Sequence, residues 1–400
     1  MIRLKDTPYQ NTAAFLSAAA QTAEFYGFES LEGMPRAKRE AQKQLPPGAQ
    51  QDSEISFARK DERALPSAAK RLLAVQPLAT GALLSWRTVP SQNGGALSFE
   101  LHAAGIPTSI AEALLIVTTN AILKDAHVEP RMLSINNVGS SESSGRFVRD
   151  VSHYLRKHIE SIAPSLRPRA ASDPLGTLVQ LIERGHPAVS RAPQAMEYLT
   201  EEERQRFWEL LEYLEVFGIP YELNSHILGS RDCWTHALFE IAAIEAESGA
   251  KRTIAFGGRY DPLMSRLARN PYPSTMVAIQ CEIRGSQKVK REVRGVPLMY
   301  FAHLGPEAKR KSLTTLEMLR EAGIPVYHGI WHERIGEQIA AARTSAVGYI
   351  LIMGHKEAVE GTILVREVAT NSQEAVPLPE LAGYLKRRRL GKSVAEKTSA

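Results

Sequence analysis

Cysteine is nearly absent: only Cys233 and Cys281 occur in 400 residues, with no Cys-x-x-Cys spacing. That argues against a disulfide framework and a structural zinc, leaves no metal expected, and suits a reducing cytoplasm. Long apolar runs are missing too. No stretch reaches the roughly 18 apolar residues of a membrane helix. The opening MIRLKDTPYQNTAAF has no basic region followed by an apolar core, so neither a membrane nor a secretory route is expected. Aromatics make up 7%, and no charge sign dominates, with 49 Lys and Arg against 44 Asp and Glu. The net +5 leans mildly towards anionic partners, of which DNA is not one we expect. What is present is 44% hydrophobic residues, enough for two or three packed domains.

Patterning divides the chain. Residues 11–28 predict a helix ending near Gly27, and Met34 to Ser53 is polar and Gln-rich, a mobile loop. LLAV, GALLSW and ALSFEL, separated by Pro90 and Gly94-Gly95, predict antiparallel strands. An apolar helix over Ala111–Lys124, the strand RMLSINNV and a helix over Ser140–Ala163 follow. From Ser172 to Gly218 apolar residues recur at three- and four-residue steps, so a helical insertion is expected at about 155–220. Strands return at Tyr221–Ile227, Leu238–Ile244, Thr253–Phe256 and Thr275–Glu282. The basic connector GSQKVKREVRG, Gly285 to Gly295, has few apolar anchors and marks a boundary. Beyond it strands alternate with helices of 10 to 16 residues, which predicts a small, largely parallel α/β domain. The domains expected are thus 1–290 and 296–390, with a disordered tail over 391–400.

Two segments carry site chemistry. In TIAFGGRYDPL, Thr253 to Leu263, a strand delivers Gly257-Gly258-Arg259-Tyr260-Asp261; upstream stands LGSRDCWTHALFEI, Leu228 to Ile241. Paired glycines let backbone approach a ligand while an arginine and a carboxylate are presented at the strand end. As a motif alone, the turn reads first as an Arg–Asp pair bracing neighbouring strands and only second as a ligand pocket. His102, His226 and His236 show no partner spacing for metal or acid–base work and default to structural roles.

Together these segments resemble the two histidine signatures of the histidyl-tRNA synthetases, the second nearly intact and the first eroded. The resemblance extends from Asp6-Thr7-Pro8 to about Arg389, through Tyr26-Gly27-Phe28, Ile135-Asn136-Asn137-Val138-Gly139, Asp173-Pro174-Leu175, Arg191-Ala192-Pro193 and Phe217-Gly218-Ile219-Pro220-Tyr221. It implies an α+β fold: a class II antiparallel sheet with helices and a helical insertion, then a C-terminal α/β domain like an anticodon-binding domain. It also implies a homodimer.

Carried over residue by residue, the resemblance places Arg87 where the family grips the ATP α-phosphate, while the carboxylate two positions on is Val89 and the arginine after Gly94 is Gly95. Ala64-Leu65-Pro66-Ser67-Ala68-Ala69 stands where a Glu would hold the substrate amine, and supplies no charge. Gly229 takes the catalytic arginine's position, with Arg231 two residues away, Asp232 matching, and Cys233-Trp234 replacing a tyrosine pair. Arg284 resembles the third motif's arginine, but Val277 and Cys281 replace glycines and are expected to occlude a nucleotide. If activity survives, Arg87, Arg231 and Arg259 would be catalytic, Arg87 and Arg284 would bind ATP with Mg, and Asp232, Gly257, Gly258, Tyr260 and Asp261 would bind substrate. Otherwise no cofactor is expected.

Selective loss of charge around histidine and ATP favours a relative that binds tRNA or a protein partner. The alternatives are a divergent active histidine–tRNA ligase and a regulatory subunit of ATP phosphoribosyltransferase. For RNA, the densest positive patches are Lys288, Lys290, Arg291 and Arg294 in the connector and Lys386, Arg387, Arg388 and Arg389 near the end. The second run also complements a helix C-terminus.

Overall fold

Alternation of apolar and polar residues builds the first of two sheets. The structure is a computed structural model that describes every residue outside 36–56, 60, 76–80, 91–94, 130, 246–247, 286–296 and 399–400, but not the side chains of 61 and 389–398. The loop expected over Met34–Ser53 and nearly all of the basic connector lie outside the described residues. The strands of the first sheet are β1 (Glu29–Ser30), β2 (Leu83–Pro90), β3 (Ala96–Ala104), β4 (Arg131–Asn137), β5 (Tyr221–Leu223), β6 (Thr235–Ile244), β7 (Lys251–Arg259) and β8 (Ser274–Glu282). Their order is β1-β2-β3-β8-β7-β6-β4-β5. Every inner pairing is antiparallel, and only the edge pairs β1/β2 and β4/β5 are parallel.

The helices of this part are α1 (Thr12–Phe25), α2 (Leu65–Val75), α3 (Ile110–Asp125), α4 (Ser141–Lys157), α5 (Arg167–Ser172), α6 (Pro174–Glu183), α7 (Glu201–Phe217) and α8 (Asp261–Ala268). Successive strand residues point to opposite faces. On one face Trp86, Leu97, Phe99, Leu101, Val277, Ile279 and Cys281 join α1 and α3 in the main core. Helix α3 is apolar almost all round, as a helix sandwiched in a core must be. The opposite face carries Arg87, Glu100 and His102 near a second core formed by Phe256, Met276, Trp234, Tyr260 and α2. Helix α7 is fixed at its start by Thr200, which accepts from the Glu203 N–H while the Glu203 side chain accepts from the Thr200 N–H. It stops at Gly218, whose φ of 82° is the left-handed conformation glycine adopts without cost. The expected Ser140–Ala163 helix breaks at Lys157 into a short 3₁₀ turn, Ile159–Ser161.

The second sheet holds β9 (Met299–His303), β10 (Tyr327–His328), β11 (Tyr349–Met353), β12 (Thr362–Glu367) and β13 (Gln373–Pro377), in the order β10-β9-β11-β12-β13. Its helices are α9 (Pro306–Glu321), α10 (Ile335–Thr344), α11 (His355–Glu360) and α12 (Leu378–Thr398). Only β10/β9 and β9/β11 are parallel; β12 runs antiparallel to both β11 and β13. A largely parallel sheet needs a long crossover before each strand, and the six residues of α11 are too few to carry one. Helix α12 also continues to Thr398, through residues whose polarity suggested a disordered tail. The stretch LGKSVAEK contains no proline and several good helix formers, so polarity alone did not decide its state.

Helix α9 binds the two parts together. Tyr26 donates to Glu317 at 2.5 Å, and Arg320 donates to Glu317 at 2.6 Å and to Asp125 at 2.8 and 3.2 Å. Arg310 adds a 2.8 Å contact to Glu212 of α7.

Candidate functional site

A line of polar groups crosses the sheet face opposite the main core. In β3 the alternation of ALSFELHA sends Glu100 and His102 to that face, and Glu100 lies directly across the ladder from Arg87 in β2. Arg87 Nε donates to Glu100 Oε2 at 2.6 Å, and Glu100 Oε2 lies 3.2 Å from His102 Nε2. His102 Nδ1 in turn lies 3.2 Å from the Tyr260 hydroxyl. All four are buried. Burial pushes the Glu100 carboxyl up, but His102 and Arg87 outweigh it and hold it below the usual carboxylate range. Burial lowers His102, with Glu100 opposing, so the ring is neutral at pH 7. Arg87 keeps one buried donor, Nη2, with no partner among the described residues.

The Gly-Gly-Arg-Tyr-Asp turn ends β7 and starts α8. A side chain at Gly257 would meet the Met276 carbonyl at 2.4 Å and Phe239 at 2.8 Å, and one at Gly258 would meet Leu238 at 2.6 Å. The glycines thus serve close strand packing. Arg259 is fully buried, donating to Glu112 through Nε and Nη2 at 2.7 Å each, to the carbonyls of Ile106 and Thr108 at 3.2 and 3.1 Å, and to Asp261 at 3.4 Å. Its donors are spent inside the fold. Asp261 accepts from the Ser274 N–H at 2.6 Å, and its carboxyl is raised by burial with Arg259 opposing.

In the first signature, a side chain at Gly229 would meet Trp234 Cδ1 at 2.4 Å and Glu62 Oε1 at 2.8 Å, so no arginine fits at that position without moving Trp234. Glu62, wholly buried, accepts from the Trp234 indole at 3.0 Å, from the Ser230 N–H at 2.7 Å and from the Arg59 N–H at 3.0 Å. Arg59 lies over the Phe256 ring at 4.1 Å and pairs with Glu240 at 2.8 Å. Trp234 packs edge-on against Phe256 and Tyr260. Arg231 is exposed, and its guanidinium donates to the Ser141 carbonyl at the start of α4 at 3.3 Å. Asp232 is half-buried beside Ser230.

Three expectations change. The sequence left Arg87 without a carboxylate, yet Glu100 supplies one from the adjacent strand, a pairing that only the register reveals. The segment around Ser67 carries no charge, but Glu62 a few residues earlier delivers a buried carboxylate to the first signature. Nothing in the sequence links Glu62 to Trp234, 172 residues away. Val277 and Cys281 do not cover this face: they point into the main core, and β8 offers the small Ala278 here, paired with Glu100 on one side and Phe256 on the other. Of the remaining candidates, the Arg284 side chain is exposed while its backbone clasps Thr12 of α1. Lys386 and Arg387 are exposed on α12, whereas Arg388 lies 4.9 Å over the Tyr384 ring and contacts Glu374 at 3.3 Å. Lys288, Lys290, Arg291 and Arg294 and the Arg389 side chain lie outside the described structure. Among the described residues no cluster of His, Cys, Asp or Glu could hold a metal ion, and no helix is long and apolar enough to cross a membrane.

Comparison with known proteins gives this geometry its relatives. Residues 301–388 match the family described as the anticodon binding domain. A histidine–tRNA ligase of a Cyanothece species is 29% identical over 308 residues, spanning 76% of this chain and 70% of the relative. The histidine–tRNA ligase of Bacillus subtilis is 28% identical over 298 residues, spanning 73% of this chain and 70% of the relative. Among solved structures, apo histidyl-tRNA synthetase of S. aureus covers 92% of this chain and is itself covered to 94%, at 17% identity and a TM-score of 0.47. With its antiparallel sheet, its signatures and its likeness to these two ligases, the chain is histidyl-tRNA synthetase-like.

Proposed function

We propose that this protein no longer activates histidine and works by binding, with tRNA as the first partner and another protein as the second. The observation that carries the proposal is the buried Arg87–Glu100 pair at 2.6 Å. An arginine that stabilises a phosphate in a transition state must present uncommitted charge to it. Here Glu100 neutralises that charge through Nε even though Nη2 stays open, and a nucleotide phosphate approaching Arg87 would meet the Glu100 carboxylate as well. The residues present therefore do not fit ATP with its Mg, and no catalytic step is assigned to them. The position aligned with the catalytic arginine is Gly229, roofed by Trp234, and Arg259 is consumed by Glu112. Support for RNA comes from the match of residues 301–388 to an anticodon binding domain and from the exposed Lys386 and Arg387. The same reading divides the chain into a synthetase-like core over 1–290 and a C-terminal unit over 296–390, and makes it a cytoplasmic homodimer like its family.

The test is histidine-dependent ATP–pyrophosphate exchange with the purified protein. Exchange at the background level of a no-histidine control is expected. Robust exchange that depends on Arg87 would restore the reading of an active histidine–tRNA ligase.

A further inference from the structure

A hollow of about 400 Å³ opens on the first sheet between the N-terminal segment, the turn after α3 and the β6–β7 hairpin, at the end of these strands away from the Gly-Gly-Arg-Tyr-Asp turn. Its walls include Arg3, Asp6, His127, Glu129, Glu245 and Arg252. Arg252 sits on β7 opposite Ala243 of β6. Two of its guanidinium nitrogens, Nε and Nη1, are buried and have no hydrogen-bond partner among the described residues. Buried donors in folded proteins are almost always satisfied, and a charged one that the described residues leave open is available to a ligand that reaches the hollow. Glu245 is the nearest candidate among the described residues, but it is shared. It stands 3.7 Å from Arg252 Nε and 3.4 Å from Arg3 Nη2, ion-pair distances at which the Arg252 donors remain unmet. One carboxylate thus faces two guanidinium groups.

We infer that this hollow is a binding site for a compact oxyanion, a carboxylate or phosphate group, held by Arg252 with Arg3 beside it. Guanidinium groups suit such ligands because planar N–H donors make short, charge-assisted bonds to their oxygens. The volume lies within the range of small-ligand sites. Asp6 and Glu129, both exposed, line the same hollow and limit what it takes. They repel a highly charged polyphosphate or a nucleic-acid strand while tolerating a mono- or dianion. The site is separate from the Arg87 line and from α12, so it stands whether or not the binding reading above is right.

The experiment titrates the full chain with inorganic phosphate and, separately, with acetate, by calorimetry at low ionic strength. Saturable binding of at least one is expected, with one ion per chain, and the better ligand tells a phosphate source from a carboxylate source. Arg252→Met, which keeps most of the side-chain stem, should weaken that binding by about tenfold or more, the scale of a charge-assisted contact. Arg252→Lys guards against a folding defect: circular dichroism should match the wild type while affinity still falls, since an ammonium cannot present the same planar donors. Asp6→Asn should bind as well as the wild type or more tightly. Absence of saturable binding of either ion, or affinity unchanged in both Arg252 variants, overturns the inference. Phosphate binding lost on neutralising Lys386 and Arg387 instead would also overturn it, by placing the anion on α12.

Discussion

Replacing Glu112 by Gln tests whether Arg259 is a structural or a reactive arginine. Burial would push the Glu112 carboxyl up, but Arg259 and then Arg206 overcome this and hold it at about 2 against an ordinary 4.5. By linkage that gap corresponds to about 3 kcal/mol of folding stability. The folded value lies below the unfolded one, so the contribution is complete above about pH 4.5 and is lost as pH falls towards 2. Glu112→Gln keeps the shape and one acceptor oxygen but removes the charge that balances the buried Arg259, whose nearest remaining carboxylate is the more distant Asp261. Removing one partner of a buried pair costs about 3–5 kcal/mol, whereas replacing both by apolar groups costs far less. Urea unfolding followed by circular dichroism at pH 7 should show that destabilisation for the single variant. The Glu112→Met, Arg259→Met double variant should recover much of it. On titrating from pH 7 to pH 3 the wild type should approach Glu112→Gln. A destabilisation below about 1 kcal/mol at pH 7, or a gap that does not narrow in acid, would refute the assignment of Arg259 to the scaffold.

Trp234→Phe should cost about 1–3 kcal/mol in the same assay, because it removes one of the N–H donors that satisfy buried Glu62; no change would mean the indole bond is dispensable. Burial raises both thiols, Cys281 to about 12 and Cys233 further still, so neither should react with a disulfide reagent at pH 8 until the chain unfolds, and prompt native labelling would contradict the packing. If tRNA is the partner, neutralising Lys386 and Arg387 should lower the slope of log affinity against log salt by about 0.7–0.9 for each phosphate that is no longer neutralised. An unchanged slope would move the RNA-binding surface elsewhere, while Arg388→Ala should act mainly on stability through its stacking on Tyr384.

Most of the central sheet was legible because its strands alternate cleanly, and ALSFELHA shows which residues share a face, but LLAV, expected as a strand, is the end of helix α2, its short apolar run fitting either state. Which partner each of them meets was not, since Arg87 and Glu100 become neighbours only through the β2–β3 register, which the sequence between the strands does not announce. Val277 and Cys281 show the cost of a one-residue error in face: a strand slipped by one turns every side chain over. Glu62 was invisible for another reason, because its bonds are long-range and leave no local pattern. In the C-terminal part, helix–strand alternation gave the class, but the short turn that folds β13 back onto β12 carries too weak a signal to announce a hairpin.

The cluster around Arg320 bears on how the protein would meet a long, stiff ligand. Arg320 joins α9 to Asp125 at the end of α3, while Glu317 receives both Arg320 and Tyr26 at the end of α1. Swinging α9 away would strand these partly buried charges together, so the junction behaves as a weld rather than a pivot. An RNA seized at α12 would then be measured out from a fixed point, its far end arriving at the sheet at a distance set by the fold. With RNA as its partner, such a protein would select by length as well as by charge, in the manner of a calliper.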